Sequence, residues 1–310
     1  MSSTPSGVLK EDEESNQGMK RSSGCLKGHD SQTATLLKET PLENLRLASQ
    51  AVLERAQKQG RSSCPRCKSS RMFYCYTCYI PVETVPTGEI PVVKLPLKID
   101  IIKHPNETDG KSTAVHAKLL APDSVTIYTY PCIPDYEDTR HEIALIFPGP
   151  NSVAVNDIPR SLQKKCQGQV SCDEEDESLT EPALKNARLE PGTDSNLDAA
   201  DWHSGGKTGP LSKIVFIDST WNQTKKIITD ERLQGLLQIE LKSRKTCFWR
   251  HQKGKPDTYL STIEAIYYFL VDYHKEVLKE KYDGQYDNLL FFFAFMYRLI
   301  KTAKSSVGKE

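Results

Sequence analysis

An α/β domain on a mainly parallel sheet is the fold class this chain predicts, and three observations point to it. Short apolar runs recur from Gly88 onward, namely LPLKIDII, VTIYTY, EIALIF, KIVFID and LLQIEL, with helical or loop segments between them. Within KIVFID the residues Ile214 to Ile217 are apolar without a break, the pattern of a strand buried on both faces. The chain also has the means for a core, with 310 residues, 37% hydrophobic and 8% aromatic, while a mean hydropathy of -0.53 implies solvated tails as well.

The elements follow in order. Residues 1–40 are rich in Ser, Thr, Gly and charge and lack periodicity, so a disordered tail is expected there. A helix is expected over 41–60: Pro41-Leu42 opens it, Leu45, Ala48, Val52 and Ala56 share one face, and Gly60 ends it. A zinc-binding module over 61–82 follows, carrying CPRC and YCYTC. Two Cys-x-x-Cys knuckles let Cys64, Cys67, Cys75 and Cys78 converge tetrahedrally on zinc. Free core cysteines would not place Pro65, Arg66 and Lys68 in the turns. With no His or carboxylate in the set, the site is expected to be structural and not hydrolytic, and nine cysteines with four so spaced argue for metal ligation in a reducing compartment.

The main α/β domain is expected over 88–305. After its first strand comes HPNETDGKSTAVHAKLLAP, in which Glu107, Lys111, Ser112 and Thr113 gather at a helix start, where free amides favour an anion. A capped surface helix is the plainer account. The strand EIALIF stops at a turn through Pro148 and Gly149, a place where an open α/β sheet would contact a ligand through its backbone. Residues 167–210 are acidic, rich in Pro and Gly and poor in large apolar side chains, so a disordered insertion between two core strands is expected. The KIVFID strand ends in Asp218-Ser219-Thr220-Trp221. Asp218 or Ser219 serves as a helix N-cap on the simplest account, which leaves Trp221 unexplained.

Farther on, KSRKTCFWRHQKGK interleaves Lys242, Arg244, Lys245 and Arg250 with Phe248 and Trp249, a composition suited to a phosphate backbone with stacked bases as well as to a solvated loop. Ser261-Thr262-Ile263-Glu264 is a capping box that opens the first of two closing helices, about Tyr259 to Lys281 and Tyr286 to Lys304. The longest apolar run, Leu289 to Met296, is far short of the roughly 20 residues of a membrane helix, and the N-terminus lacks an apolar signal core. A soluble, intracellular protein without membrane contact is expected.

Taken together, the zinc knuckles, the segment His104–Thr113, the FPG turn at Phe147–Gly149, DxTW at Asp218–Trp221 and STxEA at Ser261–Ala265 resemble the DTW-domain family of tRNA-uridine aminocarboxypropyltransferases. The resemblance covers roughly Arg61 to Lys304, and the family's TNT reads Ser112-Thr113-Ala114 here. It implies a SPOUT-like fold with a C-terminal knot and S-adenosyl-L-methionine as donor. It further implies attack by N3 of a tRNA D-loop uridine on the donor's 3-amino-3-carboxypropyl chain, with methylthioadenosine leaving. Asp218, as base or as ligand of the donor's ammonium, and Trp221, as a wall beside the sulfonium, would be catalytic. Ser112, Thr113, Pro148, Gly149, Thr220, Ser261, Thr262 and Glu264 would hold the donor, with Lys242, Arg244, Lys245 and Arg250 on the RNA. A monomer in the nucleus is implied, with the cytoplasm as the alternative. Two rival readings stand beside it: a SPOUT-like RNA methyltransferase with the same donor, and a non-catalytic zinc-ribbon RNA-binding protein.

Overall fold

The apolar runs become strands of one sheet, as the computed structural model shows for residues 42, 44–107, 109–168, 209–250 and 256–306, without the side chains of 165–168 and Trp221. The tail expected over 1–40 and the insertion from 169 to 208 lie outside the described residues. The helix expected over 41–60 begins only at Ala51 (α1, Ala51–Gln59) and ends, as expected, at Gly60. Residues 45–50 are instead held by distant partners. The Arg46 amide donates to Asp287 Oδ2 at 2.7 Å and the Ala48 amide to Asn288 Oδ1 at 2.8 Å. Backbone donors satisfied from outside have no need of a helix.

Two antiparallel hairpins follow, β1 (Ser62–Ser63) with β2 (Ser70–Arg71) and β3 (Tyr74–Cys75) with β4 (Ile80–Pro81). The main sheet holds β5 (Lys98–Lys103), β6 (Val125–Thr129), β7 (Ile143–Ile146), β8 (Val153–Ala154), β9 (Lys213–Asp218) and β10 (Leu237–Glu240). Their order is β6-β5-β9-β7-β10-β8, and every pairing is parallel. The helices are α2 (Ala114–Leu120), α3 (Ile158–Gly168), α4 (Trp221–Ile228), α5 (Thr262–Glu276) and α6 (Phe291–Ser306).

Strand alternation divides the core into two layers. Ile99, Ile101, Ile214 and Phe216 face α5 and the start of α6, through Ile266, Phe269, Leu270 and Phe291–Phe293. Ile102, Val215, Leu145 and Ile143 face the other way, onto Ile227, Leu233 and Tyr136. The zinc module belongs to the first layer: Phe73 packs edge-on against Phe295 and Tyr74 against Phe292, with ring centroids 5.5 and 5.2 Å apart. The described residues form one compact unit that includes it.

Because all six strands run the same way, Lys103, Ile146, Asp218 and Glu240 end at one rim, where open α/β sheets bind ligands. Residues 251–255, in the C-terminal chain for which a knot is implied, lie outside the described residues. No described helix is long and apolar enough to cross a membrane.

Candidate active site and metal centre

The end of β9 is where the polar residues of three segments meet. Register pairs Lys103 with Asp218, so β9 stays in the sheet through the aspartate, and the His104 amide donates to the Asp218 carbonyl at 3.1 Å. That extension moves the cap of α4 onward. Thr220 takes it, in a capping box whose Thr220 amide donates to Gln223 Oε1 at 3.0 Å, and neither Asp218 nor Ser219 is the cap.

The Asp218 side chain is therefore left for other partners. Ser112 Oγ donates to its Oδ2 at 2.7 Å and Thr262 Oγ1 to its Oδ1 at 2.6 Å. With only 3% of its surface exposed, burial pushes its carboxyl above the usual range, and the two hydroxyls and the Lys103 charge pull back part of that rise. Lys103, which no sequence pattern singled out, is paired with Asp109. Parallel register alone places it there.

Thr113 and Ser261 support this junction. The Ile263 amide at the first turn of α5 donates to Thr113 Oγ1 at 3.1 Å, tying α5 to the residue before α2. Glu264 is 0% exposed, and its oxygens accept from Ser261 N (2.8 Å), Ser261 Oγ (2.7 Å), Thr246 Oγ1 (2.7 Å) and the Cys247 amide (2.6 Å). It joins the helix start to the basic strap 241–250. No oxygen of Glu264 turns to solvent, so its place is behind the site.

Beside the junction opens a cleft of about 310 Å³, lined by residues from the ends of β7, β9 and β10 and from the chain before α5. Pro148, Ser219, Glu240, Tyr259 and Thr262 are on its wall; Asp218 is not. The aspartate stands one hydroxyl behind the cleft. Gly149 is held by Ser152, whose Oγ accepts from the Gly149 amide at 3.3 Å and donates to the Gly149 carbonyl at 2.8 Å. A Cβ at Gly149 would come within 2.8 Å of Gln238 Oε1. A larger hollow of about 540 Å³ lies between residues 42–54 and α6, away from all these groups.

The four basic residues of the strap are engaged within the chain. Arg244 Nη2 donates to both carboxylate oxygens of Asp272, at 2.6 and 2.8 Å, and the guanidinium lies over the Tyr268 ring. Arg250 Nη2 donates to the Gly110 carbonyl at 2.7 Å, while Lys242 pairs with Glu276 and Lys245 with Asp257 at exposed positions. Phe248 and Trp249 are half-buried, and Trp249 rests on Phe293 with ring centroids 5.1 Å apart. The strap is thus anchored to α5 and α6. Trp221 opens α4 directly after the cap.

The cysteines meet as expected. Their sulfurs all lie within 4.8 Å of one another, and Cys67 and Cys75 are 3.6 Å apart, against edges of about 3.8 Å for a tetrahedron with zinc–sulfur bonds of ~2.3 Å. Each knuckle aims an amide at a sulfur, Cys67 N to Cys64 Sγ and Cys78 N to Cys75 Sγ, and each is followed by a left-handed residue, Lys68 and Tyr79. Hydrogen bonds from Ser69 hold the Cys67 thiol down at about 6, and burial followed by its thiol neighbours pushes Cys78 up to about 12. The donor set and its spacing fit a zinc ion.

Known proteins resemble this chain along most of its length. The DTW domain profile matches residues 72–301. Proteins named "tRNA-uridine aminocarboxypropyltransferase 1" from Pongo abelii and Homo sapiens are each 63% identical over 310 residues, 100% of this chain and 98% of theirs. The protein of that name from Xenopus tropicalis is 59% identical over 296 residues, 94% of this chain and 96% of its own. No solved structure gave a significant match. A profile spanning most of the chain and relatives aligned almost end to end leave one assignment: the chain belongs to the DTW domain family.

Proposed function

We propose that this protein is a tRNA-uridine aminocarboxypropyltransferase that uses S-adenosyl-L-methionine and modifies N3 of a D-loop uridine. The observation that carries the reading is the chain Thr262–Asp218–Ser112, a buried carboxylate between two hydroxyls at the sheet rim and immediately behind the cleft. The relatives' shared name supports the reaction class. The donor supplies a sulfonium whose 3-amino-3-carboxypropyl carbon is electrophilic; as N3 bonds to that carbon, the C–S pair stays with sulfur and a neutral thioether departs.

The chain's own residues do the rest. Phe147, Pro148, Ile217, Tyr259 and Leu260 offer apolar walls for the nucleoside, and Ser219, Ser243, Thr258 and Thr262 offer polar groups. Holding donor and base in line can supply about 7 to 11 kcal/mol of the barrier. Glu240 lines the cleft, so it is better placed than Asp218 for the donor's ammonium. Asp218 is then the base for the N3 proton, a task worth roughly a hundred- to ten-thousand-fold, for which a raised pKa is an advantage. Trp221, at the first turn of α4, is the proposed wall beside the sulfonium. Zinc is assigned to the four cysteines as a structural ion.

The experiment is mass spectrometry of tRNA nucleosides after incubation with the protein and donor labelled either in the methyl or in the carboxyl carbon. Carboxyl label in a uridine nucleoside is expected. Methyl label instead would make it a methyltransferase, and no label with no donor bound would make it an RNA-binding protein without chemistry.

A further inference from the structure

The Thr262–Asp218–Ser112 chain has two sides. Toward Thr262 lies the cleft, and toward Ser112 lies the loop 104–112, against which the second zinc knuckle packs. A Cβ placed on Gly110 would stand 4.0 Å from Cε1 of Tyr76, a residue between Cys75 and Cys78. The Tyr76 ring therefore borders the backbone two residues before Ser112. The Arg71 guanidinium lies over that ring at 4.2 Å. Arg250 reaches the same glycine from the strap, through the Gly110 carbonyl. Lys111, next in the chain, is exposed.

The charge of the cysteine module is one-sided. Residues 61–82 carry Arg61, Arg66, Lys68 and Arg71 and no acidic side chain. Among the described residues, Arg66, Arg71 and Lys111 have no carboxylate within ion-pair distance, and Lys68 has only exposed Glu83, at 3.9 Å. Four thiolates on a divalent ion leave two negative charges, too few to cancel the four basic side chains. Unpaired basic groups fixed on a metal-braced turn, with a guanidinium stacked on an aromatic ring, match a nucleic acid's phosphates and bases better than an acidic peptide.

We propose that the outer face of the zinc module and the adjoining loop form the docking platform for the acceptor tRNA. Its phosphates lie along Arg66, Lys68, Arg71 and Lys111, and the loop 104–112 leads from that face to Ser112 and the rim where the donor cleft opens. Zinc then positions substrate as well as stabilising the fold. The identity of the RNA rests on the transfer reading above.

The test measures binding of fluorescently labelled tRNA to the full, zinc-loaded chain over a series of salt concentrations. Arg66→Gln/Lys68→Gln changes two exposed side chains, Arg71→Gln the stacked one, and Lys279→Gln/Lys281→Gln two exposed lysines beyond the far end of α5, about 20 Å along its axis from Thr262. Every cation removed from a phosphate should make the slope of log affinity against log salt shallower by about 0.7 to 0.9, so the double variant in the module should flatten it by roughly 1.5 and the distant pair by almost nothing. Zinc content and donor affinity should remain as in the wild type. Equal slopes and affinities for the module variants and the distant pair would overturn the platform. Carboxyl-label transfer with an unchanged KM for tRNA in the module variants would also overturn it while leaving the transfer reading intact. Weakened binding by a protein that transfers no label would keep the platform and sink the reaction.

Discussion

Asp218 is the residue on which the proposed chemistry turns, and its environment yields three expected outcomes. Asp218→Asn keeps the shape while removing the base, so turnover should fall a hundred-fold or more with donor affinity nearly unchanged, measured as methylthioadenosine released under saturating tRNA. The same change should stabilise the fold at neutral pH. A carboxyl whose pKa is raised by burial binds its proton more tightly folded than unfolded, so its ionisation costs stability. That cost is absent below the ordinary value of 3.8 and grows as pH rises through the raised one. Thermal midpoints of wild type and Asp218→Asn should therefore converge near pH 3 and separate by pH 7 in favour of the variant. Thr262→Val removes the 2.6 Å hydroxyl donor and should push the Asp218 carboxyl further up, moving the acid limb of the pH–rate profile to higher pH. An unmoved limb would show that Asp218 is not the titrating base. The DxTW stretch announced a polar strand end, but nothing in it showed that the two hydroxyls would come from residues 106 positions before and 44 after.

At the scale of elements, the strap and the start of α5 act as one piece because Glu264 joins them. Glu264→Gln places an amide donor where four donors already converge, so a buried group loses its acceptor at a cost of about 1–3 kcal/mol. Chemical denaturation should show that loss, and donor affinity should fall with it as the strap shifts; an unchanged midpoint would refute the bracing role. The capping box was legible as S-x-x-E spacing, whereas the reach of its glutamate to Thr246 and Cys247 was not. The same holds for α1. Its apolar face was legible to Leu45, and its true start at Ala51 was set by Asp287 and Asn288, whose side chains lie some 240 positions along the chain.

At the scale of the molecule, the zinc module is part of the helical layer. Tyr74 Oη lies 2.7 Å from Nε2 of fully buried His116, whose pKa burial lowers to about 3, and the imidazole is neutral there. Cys64→Ser/Cys67→Ser should abolish zinc binding and lower the melting temperature of the whole unit in a single transition, since Phe73 and Tyr74 lose the frame that holds them on α6 and α2. A full equivalent of zinc in that variant, or an unchanged melt, would contradict this. Replacing residues 170–207 by a short Gly/Ser linker should leave donor affinity within a few-fold by calorimetry, because every described residue of the cleft wall lies outside that span and loop closure changes slowly with length.

What the sequence determined by itself was local. Alternation and unbroken apolar runs marked the central strands, Cys-x-x-Cys spacing marked the metal set, and S-x-x-E marked a helix start, because each depends on neighbours within a few residues. Tertiary structure alone decided which strand ends share a rim, that Lys103 stands beside Asp218, that Arg244 closes on Asp272 instead of facing outward, and that the second knuckle meets the loop before Ser112. Those arrangements depend on parallel pairing and layer packing between distant segments, which no local pattern encodes.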